Sequence, residues 1–294
     1  MQSNQSKADV YEQITNTIVS AVEEGVGKYE MPWHAQSAPL NAANRKPYRG
    51  VNILMLWATA QKHAYTSNEW ATYRQWQEAG AQVRKGERST TVVFWKFYHR
   101  AEEQQEDSDA PEDRPHCFAR CYHVFNASQV DGYIPQVAEQ LPESERIQNA
   151  DRFFASLPAV IKHGGDRAFY SPAGDFIQIP AFAQFKSPKG YVCTLAHECA
   201  HWSGAPFRLN RDLSGRFGDE RYSMEELIAE ITSCYICAEL QIQSEPRVDH
   251  APYLSSWLKV LKGDKKAIFA AASKAQEAAS YLQQLSTLSR ECAS

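Results

Sequence analysis

Residues 191–204 read YVCTLAHECAHWSG, and the two histidines in this stretch, His197 and His201, are four positions apart. On an α-helix this spacing places both imidazoles on one face, about a turn apart, where one metal ion can bind both. Glu198 lies beside the predicted metal, where its carboxylate can take a proton from bound water. The pattern therefore predicts a site for Zn²⁺ or another divalent metal, with Glu198 as the catalytic residue.

A catalytic zinc site needs a third protein ligand and one open coordination position. A histidine three residues after Gly204 would complete one common arrangement, but Phe207 occupies that position. The stretch EELIAE (225–230) offers Glu226 and Glu230, four residues apart on a predicted helix. We predict that Glu226 is the ligand and that Glu230 orients a liganding histidine, with the reverse assignment as the alternative.

Two functions remain compatible with such a site. The metal can activate water for peptide hydrolysis, with Tyr222 as a candidate hydrogen-bond donor to the oxyanion. Alternatively the metal is structural, since a site can persist on a fold after its activity has changed. Whether the chain is an enzyme is therefore open from these residues alone.

Composition limits the class of protein. The chain has 294 residues, enough for two domains, and 43% of them are hydrophobic, as expected for a globular protein. We expect no membrane partner, because no apolar run approaches the ~20 residues needed to span a bilayer. The N-terminus lacks a secretory pattern, and the seven cysteines lack disulfide-framework or zinc-ribbon spacing. Buried, reduced cysteines and a cytoplasmic location are predicted.

Apolar periodicity predicts an α+β fold in two domains, 1–140 and 141–294. An acidic stretch at 101–115, between two aromatic strands, is predicted to be a mobile hairpin insert. Front-half helices are predicted at 7–24, 51–64 and 69–80, with strands at 90–99 and 116–130. Asn68 is predicted to cap the third of these helices. Rear-half helices are predicted at 146–157, 188–203, 222–241 and 264–288, with two short strands within 168–180.

The first hundred residues combine aromatic and basic side chains. Five of the seven tryptophans lie there, interleaved with lysines and arginines. Single-stranded nucleic acid is bound by such combinations, because bases stack on aromatic rings while cations contact the phosphates. The alternative is that the tryptophans are core residues and the cations a solvated face. The candidate nucleic-acid-binding residues are Arg45, Lys46, Tyr48, Arg49, Trp70, Arg74, Trp76, Arg84, Lys85 and Arg88.

Five motifs occur together along the chain: PYRGVN, EW-x-T-x-x-Q-W, VRKGE before an aromatic strand, LAHE-x-x-H, and EELIAEI. In this order they resemble the plasmid-borne ArdC-type antirestriction proteins, and the front half is also similar to the N-terminal segment of TraC-type conjugative primases. The resemblance covers nearly the whole chain, apart from the acidic stretch at 101–115.

The resemblance implies an N-terminal α/β domain that binds single-stranded DNA, followed by a zincin-like metallopeptidase domain. It also implies protection of incoming conjugative DNA from host restriction. One hypothesis is that the peptidase cleaves a host protein. Composition adds one exclusion. With a net charge of −4, the chain is not a polyacidic mimic of DNA.

Overall fold

The computed structural model describes residues 7–26, 31, 33–34, 37–98, 116–136, 141–215, 219–244 and 251–291. The predicted acidic insert at 101–115 and the four residues before the predicted boundary at 140 lie outside these ranges. Within the described residues, no helix is both long enough and apolar enough to span a membrane.

The front half places helices against a four-stranded sheet. Its strands follow the order β1-β2-β5-β4, and β4 and β5 form a long antiparallel pair in which Thr90 lies opposite Val124. This pairing confirms the two aromatic strands predicted from the sequence. The helices are α1 (Lys7–Val26), α2 (Val51–His63) and α3 (Tyr73–Glu78), and the strands are β1 (Leu40–Asn41), β2 (Glu69–Thr72), β3 (Gln82–Val83), β4 (Thr90–Tyr98), β5 (His116–Asn126) and β6 (Val130–Asp131).

The helix predicted over 69–80 is wrong in its first part. Glu69–Thr72 forms β2, which pairs with β5, and Thr72 rather than Asn68 caps the short helix α3. The Thr72 side chain accepts a hydrogen bond from the backbone N–H of Gln75, and the Gln75 side chain accepts one from the N–H of Thr72. Strand pairing has overridden the helical periodicity of this segment, whose Trp and Thr favour a strand.

The rear half is mainly helical, with a small three-stranded sheet in the order β7-β9-β8. The predicted helices and the two strands within 168–180 are confirmed, with ends shifted by a few residues. Strand β7 and helix α7 were not predicted; Pro252 near the start of α7 resembles a breaker but is tolerated in a first helical turn. The elements are α4 (Glu143–Ala155), β7 (Val160–His163), β8 (Phe169–Ser171), β9 (Phe176–Ile179), α5 (Pro188–Ser203), α6 (Glu220–Glu239), α7 (Ala251–Gly263) and α8 (Ala267–Glu291).

The two halves share one apolar core. Buried side chains of α1 and α2, such as Ile18 and Leu54, belong to the same cluster as Leu227 of α6 and Trp257 of α7. The Tyr235 hydroxyl of α6 also donates a hydrogen bond to the carbonyl of Gly50, at the start of α2. The division of the chain near residue 140 stays a prediction, and the metal helices pack directly against front-half residues.

Candidate metal centre and nucleic-acid surface

Helix α5 carries the His-Glu-x-x-His motif. The Ser187 side chain caps its start by accepting a hydrogen bond from the N–H of Gly190 at 2.9 Å, and Pro188 occupies the first turn. The helix ends before Gly204, as the sequence predicts. His197 and Glu198 are buried and His201 is partly buried. The motif therefore faces the protein interior, next to α6.

Three side chains converge on one point. The Nε2 atoms of His197 and His201 are 3.1 Å apart. Glu226 Oε2 lies 3.5 Å from Nε2 of His197, and Glu226 Oε1 lies 3.5 Å from Nε2 of His201. Two Zn–N bonds at a tetrahedral angle would place the nitrogens about 3.4 Å apart. The ligand atoms of these three residues all lie within 4.8 Å of one another. His197, His201 and Glu226 can therefore hold one divalent ion.

A second layer of carboxylates lies on the opposite side of the two rings. Glu225 Oε1 is 3.1 Å from Nδ1 of His201, and Glu230 Oε2 is 3.7 Å from Nδ1 of His197. A carboxylate beside Nδ1 favours a proton on that nitrogen, which leaves Nε2 as an unprotonated acceptor. Two such acceptors that face each other at 3.1 Å need a cation between them, so the arrangement fits a metal.

Arg211 holds Glu225 in place, and neither residue was identified from the sequence. The buried guanidinium donates hydrogen bonds to both Glu225 oxygens, at 2.8 and 3.0 Å, and to the carbonyl of Ala200 at 2.6 Å. A Cβ at Gly204 would lie 2.7 Å from the Arg211 Nη2, so glycine leaves room for the guanidinium. No spacing rule links Arg211 to the motif, although Glu225 is the first residue of the EELIAE stretch.

The pKa values of both glutamates favour the charged form. Burial acts to raise the pKa of Glu226, but its contacts with His197 and His201 outweigh burial and lower the pKa to about 2. Burial likewise opposes ionisation of Glu225, while hydrogen bonds with His201 and Arg211 bring its pKa below the ordinary value. Glu226 is therefore in the ionised state that a metal ligand requires.

The candidate metal site opens into a cleft of about 760 Å³, which Glu198, Tyr222 and the strand β8 also line. The Tyr222 hydroxyl lies 3.1 Å from the hydroxyl of Tyr253. Burial, the hydrogen bond with Tyr253 and the nearby charge of Glu226 raise the pKa of Tyr222. Its phenol stays protonated and lines the cleft.

The cysteines around the metal helices are structural, as predicted. Cys193, Cys199, Cys234 and Cys237 are buried and not in disulfides. Burial raises the pKa of Cys199, which follows Glu198 in sequence. A buried neutral thiol is a small apolar side chain rather than a nucleophile.

In the front half, the aromatic candidates for base stacking are core residues. Tyr48 is buried, Trp70 is 1% exposed and Trp76 is 0% exposed. The Trp76 indole N–H donates a hydrogen bond to the carbonyl of Phe125 at 3.1 Å, as expected for a satisfied core tryptophan. This burial favours the alternative, that Tyr48, Trp70 and Trp76 are core residues, over the predicted base stacking.

The basic candidates are all exposed, but they differ in their contacts. Arg45 is paired with Glu69, and Arg49 donates a hydrogen bond to Ser280 of α8. Two further arginines are paired with acidic neighbours on the surface. Within the described residues, ion pairs engage Arg74 with Glu78 and Arg84 with Glu87 and Asp131, whereas Lys46, Lys85 and Arg88 have none.

Tyr73 is an exposed aromatic residue that the sequence analysis missed. It is 44% exposed and, with Phe125, lines a shallow cleft that also contains Arg84 and Lys85. The two rings are 6.4 Å apart in an edge-to-face arrangement. Its position between Trp70 and Trp76 gives no signal that this ring, and not its neighbours, faces solvent.

Comparison with known proteins defines the class to which this fold and site belong. Residues 148–274 match the family of zincin-like metallopeptidases, and residues 8–125 match the N-terminal domain of the anti-restriction factor ArdC. The first match contains the whole candidate metal centre, and a zincin-like domain implies a divalent metal. The rear half is thus a zincin-like metallopeptidase domain in fold and site.

Solved structures and sequence relatives then give the family. The antirestriction protein ArdC of plasmid R388 is similar in its metal-free structure (TM-score 0.77, 39% identity) and its Mn(II)-bound structure (TM-score 0.75, 41% identity). Each comparison covers 95% of this chain and 98% of the other. The chain belongs to the ArdC antirestriction family.

Two further relatives differ in length. The protein y4eC of Sinorhizobium fredii (strain NBRC 101917 / NGR234) is 51% identical over 95% of this chain and 92% of its own. A DNA primase TraC of Escherichia coli is 37% identical over 92% of this chain, but the match spans only 27% of the primase. The chain therefore corresponds to about a quarter of that primase.

Proposed function

We propose that this protein binds single-stranded DNA, protects incoming conjugative DNA from host restriction in the cytoplasm, and carries a zinc peptidase that cleaves a host protein. The observation that carries the peptidase part is the convergence of His197, His201 and Glu226 in a cleft that Glu198 also lines. Membership of the ArdC family supports the antirestriction role.

The geometry supports Glu226, rather than Glu230, as the third ligand. Glu226 faces the Nε2 side of both histidines, where their lone pairs converge, whereas Glu230 lies on the Nδ1 side of His197. Three protein ligands would leave a bound ion one open position for water or substrate. Zinc bound there would polarise the scissile carbonyl and lower the pKa of its water to about 7.

Two residues of the chain then transfer the proton of the water and stabilise the negative charge on the oxyanion. Glu198 takes the proton of the attacking water and delivers it to the leaving amine. Tyr222, which is protonated and lines the same cleft, donates a hydrogen bond to the developing oxyanion. Strand β8 lies at the edge of its sheet and borders the cleft, so an extended peptide can add to it as a further strand.

On the front half, the shallow cleft around Tyr73 supports the DNA-binding proposal. An exposed ring there offers a stacking face, and Lys85 and Arg84 border it. Lys46 and Arg88 add exposed cations that form no ion pair with any described residue. Stacking on an aromatic ring combined with phosphate contacts is the usual way to hold a single strand without sequence preference.

The decisive experiment replaces Glu198 by Gln, which keeps the shape of the side chain but removes its basicity. We expect stoichiometric zinc and unchanged DNA affinity, while host-protein cleavage falls by at least about 100-fold. Protection of transferred DNA should be lost with it. Glu277→Gln, an exposed glutamate on α8, is the matched control and should behave as the wild type.

Other outcomes of this experiment would support other functions. If Glu198→Gln protects DNA fully, the front half protects by coating the strand and the metal only stabilises the fold. If the wild-type protein shows no affinity for single-stranded DNA even at low salt, the chain is a peptidase without a DNA partner. Metal analysis of the purified protein, with Glu226→Ala for comparison, identifies the ion and tests the third ligand.

A further inference from the structure

A histidine of the front half lies behind the metal centre. His34 Nε2 is 3.3 Å from Oε1 of Glu230, whose other oxygen lies 3.7 Å from Nδ1 of His197. Both side chains of the first pair are buried, with exposed fractions of 8% and 4%. The three residues form a continuous line from the segment before β1, through α6, to the metal helix α5.

The backbone fixes the tautomer of His34. The N–H of Met31 donates a hydrogen bond to Nδ1 of His34 at 3.1 Å, so that nitrogen is an acceptor. A neutral imidazole with an accepting Nδ1 carries its proton on Nε2. That proton points towards Glu230, and His34 therefore acts as a hydrogen-bond donor to the carboxylate.

The ring is also held firmly in position. The turn that presents it is closed by a backbone hydrogen bond from the His34 N–H to the Met31 carbonyl at 3.0 Å. Met31 and Trp33, which precede His34 in the sequence, are buried, and the Trp33 ring lies 6.4 Å from that of Trp257 on α7. The donor thus has buried neighbours.

A second metal site is the competing interpretation, because His34, Glu230 and Cys234 bring three potential ligand atoms within 4.8 Å. The hydrogen bond at Nδ1 of His34 argues against it. A ligand nitrogen needs a free lone pair, but Nε2 of His34 carries the proton.

We infer that His34 is a positioning residue of the metal centre: by donating to Glu230, it fixes the carboxylate that orients the ring of His197. This inference rests on the metal-binding part of the proposed function and is independent of peptide hydrolysis. It means that the metal centre of the rear half is completed by a side chain of the front half, 163 positions before His197 in the sequence.

Two variants of His34 in the full-length protein separate positioning from packing. Asn can retain the acceptor for the Met31 N–H but is too short to reach Glu230, whereas Gln can place an amide donor near the position of Nε2. The metal-free proteins are titrated with Co²⁺, whose visible absorption reports the geometry of the ligands. We expect His34→Asn to weaken Co²⁺ binding by about 10- to 100-fold and to alter the spectrum, and His34→Gln to restore most of both.

A double-mutant cycle tests whether His34 influences metal binding through Glu230. In a Glu230→Gln background, replacing His34 by Asn should weaken Co²⁺ binding no further, because the carboxylate that transmits the effect is gone. If His34→Asn fails to fold, His34→Leu, which has no hydrogen-bond donor, replaces it and should give the same weakening and the same spectral change. Thermal unfolding of the metal-free proteins shows which variants are folded.

Two results would overturn the inference. Unchanged Co²⁺ affinity and an unchanged spectrum for a folded His34→Asn protein would make His34 a packing residue only. Two Co²⁺ ions per wild-type chain, one of them lost in His34→Asn, would make it a ligand of a second site. Neither result depends on proteolysis, so absence of peptidase activity would contradict the proposed function and leave this inference standing.

Discussion

The candidate metal centre and the proposed nucleic-acid surface of this protein are organised in opposite ways. At the metal centre, each important side chain is at least partly buried and contacts another, as Arg211 contacts Glu225 and Glu225 contacts His201. On the front surface, the basic residues are exposed, and ion pairs such as that of Arg74 with Glu78 lie at the surface. Changes at the first region should therefore affect several residues together, while changes at the second should act singly and be small.

Replacing Arg211 by Met should have the largest effect, because it removes the guanidinium that pairs with the buried carboxylate of Glu225. We expect the free energy of unfolding of the metal-free protein to fall by about 3–5 kcal/mol. The pKa of Glu225 is lower than usual in the folded state, so its ion pair stabilises the protein above pH ~4.5 and less as the pH falls below that value.

Urea titrations at several pH values measure this difference. The gap between wild type and Arg211→Met should be largest near neutral pH and shrink in acid. Arg221→Met is the matched control, because Arg221 is exposed and its ion pair with Asp212 is a surface pair. Equal stability of the Arg211 and Arg221 variants would show that the metal centre is not the mutually dependent network described above.

Replacing Trp76 by Ala tests whether this tryptophan of the front half stabilises the core rather than contacting DNA. The ring is completely buried, so we expect a loss of about 3–5 kcal/mol in the free energy of unfolding. The fraction that remains folded should bind single-stranded DNA with unchanged affinity. A variant that is as stable as the wild type but loses DNA binding would mean that the indole faces a base, contrary to its packing.

These two regions also differ in how well the sequence predicted them. His197, His201 and Glu226 converge as their helical spacing suggests, because ligands of one ion must lie on facing helix surfaces. Arg211 and His34 were missed, because a buried partner supplied by a loop or by the other half of the chain leaves no periodic pattern.

The front half was predicted less well for a related reason. Composition alone cannot separate an aromatic ring that packs in a core from one that faces solvent. Trp70 and Trp76 were chosen for their residue type and neighbours, while Tyr73, between them, is the exposed ring. The strand at Glu69–Thr72 was missed because its pairing partner, β5, lies more than forty residues further along the chain.

Replacing Tyr73 by Ala should weaken binding of a single-stranded oligonucleotide by about 1–3 kcal/mol, the usual contribution of one stacked base. Because the ring is 44% exposed, its removal should change stability much less than the loss of Trp76. Fluorescence anisotropy with labelled oligo(dT) measures the affinity. Tyr133→Ala is a suitable comparison, because that ring packs against Trp76 at 4.7 Å instead of bordering the cleft with Lys85.

Replacing Lys85 by Gln should have the smallest effect and the clearest signature. Each phosphate contact releases counterions, so losing one cation should reduce the slope of log affinity against log salt by about 0.7 for a single strand. Stability should not change, because Lys85 is exposed and forms no ion pair with any described residue. The control is Lys259→Gln, because Lys259 is an exposed lysine on α7 and its replacement removes the same charge elsewhere. An equal change in slope for both variants would mean that net charge, and not the cleft around Tyr73, governs DNA binding.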